Sequence, residues 1–383
     1  MRVKLGDIFE IGSGGTPSKS HPEYYGGDIP WVKTGDLKNE YLYEVEDFIT
    51  EEGLQNSSAK VYEADTVLIA MYGATIGATS ILKINACTNQ ACAAFKKNEQ
   101  VIPEYLYYFL RSQKKKFVKD GVGGAQPNIS AGYLKKVEME LPSLEEQRAI
   151  VDILDKTSDI VIKRNQEIQS LDDLIKARFV ELFGESGKQV PLTDYVWFQE
   201  GPGVRSVDFI SDGTILLTGS NINDNEISFG YKSDRFISNE LATGKYAHFM
   251  CDIDDILAVT SAIAPEKFDQ KIVTVKEDKK YCLNTGIIRF KPNKDYLTIG
   301  YFREFLKTDY FKHQVMSEMR GIAQMHFGPS HLKQMTILLP DSMEKQIEFE
   351  QFVKQVDKSK VVVQKALGEA QLLFDSLMQQ YFG

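Results

Sequence analysis

The sequence predicts an α/β fold built from two tandem mixed α/β domains, each followed by a long helix, with the two helices pairing. Three observations predict it. The two halves of the 383-residue chain resemble each other. Each half mixes short β-rich runs with glycine and proline. Each half then closes with a long helical pattern ending in Phe-Gly, at Phe183-Gly184 and Phe382-Gly383.

Composition agrees with a folded protein in more than one domain. Hydrophobic residues make up 43% and charged residues 26% of the chain, values typical of soluble globular proteins. No run approaches the roughly 18 apolar residues of a membrane span, and the charged opening MRVKLGDIFE is unlike a signal peptide. The sequence therefore predicts a cytoplasmic protein. The cysteines lack CxxC pairs and are predicted to be reduced and buried: Cys87, Cys92, Cys251 and Cys282.

The internal repeat runs through most of the chain. Cys87–Lys96 (CTNQACAAFK) aligns with Cys282–Lys291 (CLNTGIIRFK), and Gly123–Pro142 aligns with Arg320–Pro340. The pairs that match elsewhere are Val3–Asp7 with Val190–Asp194, and Thr34-Gly35 with Thr218-Gly219. The offset between the matched residues drifts along the chain, which indicates loop insertions.

Local patterns predict individual elements in the first half. Asp65–Gly73 and Ala91–Lys96 are apolar, β-rich runs between turn residues, typical of strands. Pro103–Lys119 begins with proline in its first turn and carries apolar residues at helical spacing, which predicts one helix.

The two long helices have start signals and a seven-residue apolar repeat. Ser143 with Glu146, and Asp341 with Glu344, have the spacing of a capping box. A seven-residue apolar repeat is typical of a coiled-coil seam, so the two helices are predicted to pair. The repeat residues are Leu154, Val161, Ile168, Ile175, Leu182, Phe349, Val356, Val363, Ala370 and Leu377.

Motifs of the common enzyme classes are not found. Gly184–Gln189 (GESGKQ) lacks the spacing of a phosphate-binding loop, and no GxGxxG follows a strand. The histidines form no HExxH, there is no Gly-x-Ser-x-Gly elbow, and the Asn/Asp-Pro-Pro-aromatic motif of adenine methyltransferases does not occur. We therefore expect no catalysis, no cofactor and no metal.

Charge points to nucleic acid in one region only. The net charge is −9, which disfavours general coating of nucleic acid. Between Arg111 and Lys136, however, seven basic residues face one acid, Asp120, so this stretch is locally basic.

The tandem organisation resembles the specificity subunit of type I restriction-modification systems. The resemblance is carried by LGDIFEIGSGGTPSK, DIPWVKTGDL, GGAQPNIS and LPSLEEQRAI in the first half, and by a joint in which Leu-Pro is followed by Gln, at Leu141–Gln147 and Leu339–Gln346. It implies two target-recognition domains, at 1–142 and 185–340. It also implies an antiparallel pair of spacer helices, at 143–184 and 341–383. Each domain would read one half of a split DNA target, with two methyltransferase subunits docking on the helices and a restriction motor subunit joining them.

Basic, amide and turn residues are the candidate DNA contacts. Lysines suit phosphates and amides suit adenine edges, although solvated helix faces and turn geometry would also explain them. In the first half they are Gly14, Gly15, Thr16, Lys33, Thr34, Tyr72, Lys114, Lys115, Lys116, Lys119, Gln126 and Asn128; in the second, Arg205, Thr218, Arg320, Gln324 and His326. Two alternatives stay open: a coiled-coil scaffold that does not bind DNA, and a stand-alone DNA-modifying enzyme.

Overall fold

The computed structural model describes residues 1–121, 128–184, 187–317 and 324–383. Its contacts divide the chain into two compact units. Unit 1 contains Met1–Gln166 and Gln364–Gly383, and unit 2 contains Glu167–Val363. Each unit thus holds a globular part together with a segment of each long helix.

Unit 1 is built on two sheets and a strand pair. Its strands are β1 (Arg2–Lys4), β2 (Ile11–Ser13), β3 (Tyr25–Val32), β4 (Tyr41–Leu42), β5 (Phe48–Ile49), β6 (Val61–Tyr62), β7 (Val67–Ala70), β8 (Thr79–Leu82), β9 (Ala86–Thr88), β10 (Cys92–Phe95) and β11 (Glu138–Glu140). Its short helices are α1 (Leu5–Ile8), α2 (Glu51–Gln55), α3 (Pro103–Ser112), α4 (Lys114–Asp120) and α5 (Ala131–Leu134). The sheets have the orders β2-β10-β7-β8-β4 and β5-β3-β9-β6, and β1 pairs with β11.

The long helix α6 (Leu144–Leu182) leads from unit 1 into unit 2. The strands of unit 2 are β12 (Lys188–Pro191), β13 (Val196–Glu200), β14 (Thr214–Leu217), β15 (Ile222–Asn223), β16 (Glu226–Ile227), β17 (Arg235–Ile237), β18 (Ile256–Val259), β19 (Ile272–Thr274), β20 (Tyr281–Leu283), β21 (Ile287–Pro292) and β22 (Thr336–Leu339). Its helices are α7 (Leu192–Tyr195), α8 (Asn239–Thr243), α9 (Ile299–Phe305), α10 (Asp309–Ser317) and α11 (Pro329–Leu332), followed by the long α12 (Met343–Phe382).

The strand order confirms the tandem repeat. The order β2-β10-β7-β8 recurs as β13-β21-β18-β19, and the pair β1·β11 recurs as β12·β22. Parallel pairing of β3 with β9 recurs as β14 with β20. In this pairing Trp31 lies opposite Cys87 and Leu216 lies opposite Cys282. Lys33, not Thr34, therefore corresponds to Thr218, so the predicted match of the two Thr-Gly pairs is wrong by one residue.

The strand predictions are confirmed, whereas the predicted helix Pro103–Lys119 is two helices. β7 and β10 lie inside the two predicted runs. The break between α3 and α4 falls at Gln113. There the Ser112 hydroxyl donates to the Phe109 carbonyl at 2.7 Å. The side-chain amide nitrogen of Gln113 donates to the Phe382 carbonyl at 3.3 Å. Side chains that bond to nearby backbone groups in this way compete with helix continuation.

The two long helices begin in different ways. The Glu146 amide donates to the Ser143 hydroxyl, and the Glu146 carboxylate accepts from the Ser143 amide at 2.9 Å, so the first capping box is confirmed. The second is wrong, because α12 begins one residue later than that box requires. Its cap is Ser342, whose hydroxyl accepts from the Lys345 amide at 3.3 Å.

Both units use both long helices to complete their cores. In unit 1, Val151 and Leu154 of α6 share a core with Phe382, and Phe374 and Leu377 pack against it. In unit 2, Ile175, Phe179 and Phe183 share a core with Phe349, Val353 and Val356. The start of α6 thus meets the end of α12, and the end of α6 meets the start of α12. This is the order of an antiparallel pair, so the predicted fold class is confirmed.

The ten seam residues are all removed from solvent to some degree. Buried are Leu154, Ile175, Phe349, Val356 and Val363; half-buried are Val161, Ile168, Leu182, Ala370 and Leu377. In each unit a tyrosine ring packs against a phenylalanine at the end of a long helix. The ring centroids are 5.2 Å apart for Tyr105 and Phe382, and 4.8 Å apart for Tyr301 and Phe183.

The four cysteines are buried and unbonded, as predicted. Burial raises the pKa of Cys87 and of Cys282 to about 11, so both are held as thiols. Among the described residues, no helix is both long and apolar enough to cross a membrane.

Asp155 provides a test of how unit 1 holds α6. Its carboxylate accepts a hydrogen bond of 2.6 Å from the Tyr108 hydroxyl. Burial raises the pKa of Asp155 above 3.8, and the bond from Tyr108 opposes that rise. A carboxyl whose pKa is raised on folding lowers stability above its unfolded-state pKa, because folding then holds a poorly solvated charge.

We expect Asp155→Asn to raise the melting temperature at pH 7 by about 2 to 4 °C, since asparagine can still accept from Tyr108. Below pH 3.8 the wild-type carboxyl takes up a proton in both states, so the gain should vanish near pH 3. Thermal unfolding followed by circular dichroism at pH 3, 5 and 7 measures this, with exposed Asp28→Asn as the matched control. An equal gain at all three pH values would contradict it.

Candidate nucleic-acid interface

Unit 1 presents an exposed polar pair where its central strand ends. β7 is buried along its whole length. Just after it, the Ile129 amide donates to the Met71 carbonyl at 3.0 Å, and Tyr72 lies opposite Asn128 in an antiparallel bridge. Directly opposed residues project their side chains from the same face. Tyr72 is 43% exposed and Asn128 is exposed, so this face is open to a ligand.

Unit 2 presents a corresponding pair at the end of β18. There the Phe327 amide donates to the Thr260 carbonyl at 3.0 Å, which places Ser261 opposite His326. The Ser261 hydroxyl and the His326 Nδ1 are hydrogen-bonded at 2.7 Å. His326 is exposed and Ser261 is half-buried. We call Tyr72 with Asn128, and Ser261 with His326, the strand-end pairs.

The residues that follow Tyr72 and Ser261 both have a left-handed backbone conformation. Gly73 has φ +65° and Ala262 has φ +57°. An alanine in the left-handed region is strained, because its Cβ crowds the carbonyl oxygen. The same turn is thus kept in both units, even where glycine is absent.

The lysine run of unit 1 lies beside the Tyr72 turn. Lys114, Lys115, Lys116 and Lys119 are exposed on α4, whereas Phe117 is buried. A Cβ added at Gly77, in the same turn, would lie 2.9 Å from the Lys114 Cγ. Lys114, Lys115 and Lys116 also line a groove of about 1580 Å³ together with Arg2, Lys136 and the end of α12. The structure therefore brings the basic run and the pair of unit 1 to neighbouring positions.

The glycines of the opening motif are packed inside unit 1. Gly14 and Gly15 are buried, and a Cβ at Gly14 would lie 1.8 Å from the Thr88 carbonyl oxygen. A Cβ at Gly15 would lie 2.5 Å from the Ala59 amide. These contacts account for glycine by close packing. Thr16 is half-buried and its hydroxyl donates to the Gln90 amide oxygen; contact of these three residues with DNA stays a prediction.

Lys33 and Thr218 occupy equivalent turns. The Lys33 amide donates to the Asp36 carboxylate at 2.7 Å, and the Thr218 amide donates to the Asn221 side chain at 2.9 Å. The Lys33 ammonium lies 5.3 Å from the Trp31 ring centroid and is paired with Asp47. Thr34 follows it and is half-buried.

The remaining candidates are more scattered. Arg205 is exposed, 3.9 Å from Asp208, and Gln324 is exposed next to Met325, whose backbone pairs with Ile263. Gln126 and Arg320 lie outside the described residues.

Sequence reasoning missed Ser261. Its equivalence to Tyr72 follows from the backbone hydrogen bonds, because the Phe327 amide bonds the Thr260 carbonyl as the Ile129 amide bonds the Met71 carbonyl. The sequence does not show this equivalence, because the segments that follow β7 and β18 have few identical residues.

Sequence reasoning also missed a buried charge cluster in unit 2. Arg289 is 4% exposed and Asp255 1% exposed, and their nearest side-chain atoms lie 3.2 Å apart. Arg289 also donates to the Met250 and His248 carbonyls at 2.8 Å and lies over the Trp197 ring. Nearby, hydrogen bonds from Lys279 and then Lys291 lower the pKa of Asp252 to about 2. The cluster ties β13 and β21 to the segment that precedes β18.

Acidic and sulfur ligands do not gather around a metal position: within the described ranges, no three His, Cys, Asp or Glu residues are placed to hold an ion.

The comparisons with known proteins agree with one another. Residues 1–171 match the family model of the type I restriction modification DNA specificity domain. The chain is 32% identical over 235 residues to the type I restriction enzyme MjaIX specificity subunit of Methanocaldococcus jannaschii, covering 59% of this chain and 54% of that protein. It is 23% identical over 378 residues to the MjaVIII specificity subunit of the same organism, covering 93% of this chain and 85% of that protein.

Other relatives match over a shorter part. The EcoR124I/EcoR124II specificity subunit of Escherichia coli is 30% identical over 40% of this chain and 39% of that protein. The chain therefore spans about half or less of the length of these first relatives, MjaVIII excepted.

Solved structures share the fold. The S subunit of a type I restriction-modification system from M. genitalium superimposes with a TM-score of 0.55 at 15% identity, covering 100% of this chain and 96% of that one. A chain from a structure on complex assembly and conformational transition of the type I R-M system gives a TM-score of 0.57 at 16% identity, covering 100% and 97%.

Proposed function

We propose that the chain is the subunit that selects the DNA sequence on which a type I restriction-modification system acts, since residues 1–171 match the DNA specificity domain of such systems. It is a non-catalytic, cytoplasmic protein that takes no cofactor. Each unit reads one half of a bipartite target in double-stranded DNA. Base edges specify the sequence, and lysine contacts to phosphates set the position.

One observation carries this proposal: the framework is the same in both units while the exposed residues on it differ. Gln147 and Gln346 make corresponding buried hydrogen bonds, and Tyr105 and Tyr301 donate to corresponding strand carbonyls. The strand-end pairs, in contrast, are Tyr-Asn in one unit and Ser-His in the other. A duplicated frame with different exposed residues suits two half-sites of different sequence.

We assign recognition to residues 1–142 and 185–340, and the spacer to residues 143–184 and 341–383. The long helices also carry exposed apolar side chains, which favours docking of partner proteins on them. These side chains are Leu144, Ile153, Ile160, Ile162, Leu174, Val180, Ile347, Val361, Val362, Leu372 and Leu373. We propose that two modification methyltransferase subunits dock there, and that restriction motor subunits join the assembly.

The test is to express the full chain with a type I modification methyltransferase from the same genome and to map methylated adenines across that genome. We expect a split motif that disappears when the chain is deleted. Replacing residues 190–340 by the same segment of a relative with another target should change one half of the motif and leave the other. Cells with the methyltransferase alone are the control. Methylation that persists unchanged without this chain would overturn the proposal.

A further inference from the structure

The residues of the two strand-end pairs correspond one to one, Tyr72 with Ser261 and Asn128 with His326. In both units the backbone amide after the second member donates to the carbonyl before the first member, at 3.0 Å in each case. The next residue then enters the same left-handed conformation, as Gly73 and as Ala262. The positions therefore match in backbone, and only the side chains differ.

The backbone beneath each pair is rigidly supported. β7 and β18 are buried at every residue, and each is hydrogen-bonded on both sides within its sheet. A ligand-reading side chain needs such support, since positioning errors of a fraction of an ångström weaken directional hydrogen bonds. Each pair thus projects from a fixed base while being open to solvent.

The side chains of the pairs have the chemistry of base-edge readers. An asparagine amide offers a donor and an acceptor that match the N6 and N7 positions of adenine in the major groove. A histidine ring offers nitrogens that can donate or accept, and its hydrogen bond to Ser261 orients the ring. In unit 1, Lys114 beside the same turn can reach a phosphate.

We propose that the strand-end pairs are the specificity determinants: Tyr72 with Asn128 selects bases in one half-site, and Ser261 with His326 selects bases in the other. This rests on the proposed function and deepens it, because it names the residues that choose the bases. It assigns to Ser261 the role of orienting His326. It assigns corresponding roles in the two units to residues with no chemical likeness.

The experiment uses the assembled complex of the full chain with its methyltransferase subunits. The complex methylates a library of DNA duplexes with randomised half-sites, and sequencing reads which are modified. We expect Tyr72→Ala and Asn128→Ala each to reduce discrimination about tenfold or more at one or two positions of one half-site. Ser261→Ala and His326→Ala should act on the other half-site only. Exposed Tyr43→Ala and His313→Ala are matched controls within the same units and should leave both halves unchanged.

Each variant carries its own folding control, because the half-site read by the other unit should keep its preference. If an alanine variant unfolds below the assay temperature, Asn128→Ser or His326→Asn replaces it under the same criterion. Base preferences that stay unchanged in the pair variants, or that fall equally in both half-sites, would overturn this inference. Modification that needs this chain would leave the proposed function standing in that event; modification independent of the chain would remove both.

Discussion

Replacing Arg289 with methionine is expected to lower the free energy of unfolding by about 3 to 5 kcal/mol. The guanidinium is buried and donates to two backbone carbonyls, to Asp255 and to Gln199. Methionine fills a similar volume but removes the guanidinium from the buried Asp255 carboxyl, which keeps only Lys291 as a cationic partner, at 3.5 Å. A buried charge that loses such a partner is costly because the protein interior solvates it poorly.

Chemical denaturation followed by tryptophan fluorescence measures this loss, since Trp197 lies against Arg289 with 5.2 Å between ring centroid and guanidinium carbon. Exposed Arg205→Met is the matched control and should change stability by less than about 0.5 kcal/mol. The double variant Arg289→Met with Asp255→Asn should recover part of the loss, because asparagine carries no charge. A loss that is the same with and without the Asp255 change would show that the ion pair is not its cause.

Gln147→Leu is expected to cost about 3 kcal/mol, because one buried side chain satisfies three backbone groups. Its amide oxygen accepts from the Ile102 amide at 2.9 Å. Its amide nitrogen donates to the Gln100 carbonyl at 2.9 Å and the Pro142 carbonyl at 3.0 Å. Leucine matches the size of glutamine and removes all three bonds. Gln346→Leu should cost less, since Gln346 bonds two backbone groups, at Thr298 and Tyr296.

Thermal and urea unfolding of the full chain would rank the two variants. Exposed Gln364→Leu on α12 is the control and should be close to neutral. Equal losses for Gln147→Leu and Gln346→Leu would mean that the number of backbone bonds does not determine the cost. A neutral Gln147→Leu would contradict the role of this side chain as a brace between α6 and the loop before α3.

The sequence predicts what depends on local pattern. Proline, capping residues and alternating apolar runs act over a few neighbours, so β7, β10 and the start of α6 could be placed from them. The break at Gln113 could not, because it involves Phe382, far away in the chain. The one-residue error at Thr218 has a similar cause. The sequence suggests matching the two Thr-Gly pairs because they are identical, whereas the correct match depends on the pairing of Leu216 with Cys282 in the sheet.

The sequence indicates which residue types form the candidate site, but it identifies only some of the residues. Tyr72, Asn128 and His326 could be named because their residue types suit DNA, whereas Ser261 acts through a partner 65 positions away. Gly14 and Gly15 are predicted DNA contacts as turn residues; the structure adds that they pack closely against Thr88 and Ala59, which the sequence does not indicate. The sequence around Arg289 gives no hint of its burial, because Lys291 two residues later in β21 carries the same charge and is only half-buried.

The end of α12 completes the core of unit 1, and this sets an order for folding during synthesis. A ribosome releases the chain from its amino end, and domains usually fold in that order. Unit 2 is continuous in sequence from Glu167 to Val363, but the core of unit 1 includes Phe382. All of unit 2 is therefore made before the residues that complete unit 1. The amino-terminal unit is the last to close, and a nascent chain holds its open core, with Tyr105 uncovered, until translation has passed residue 382.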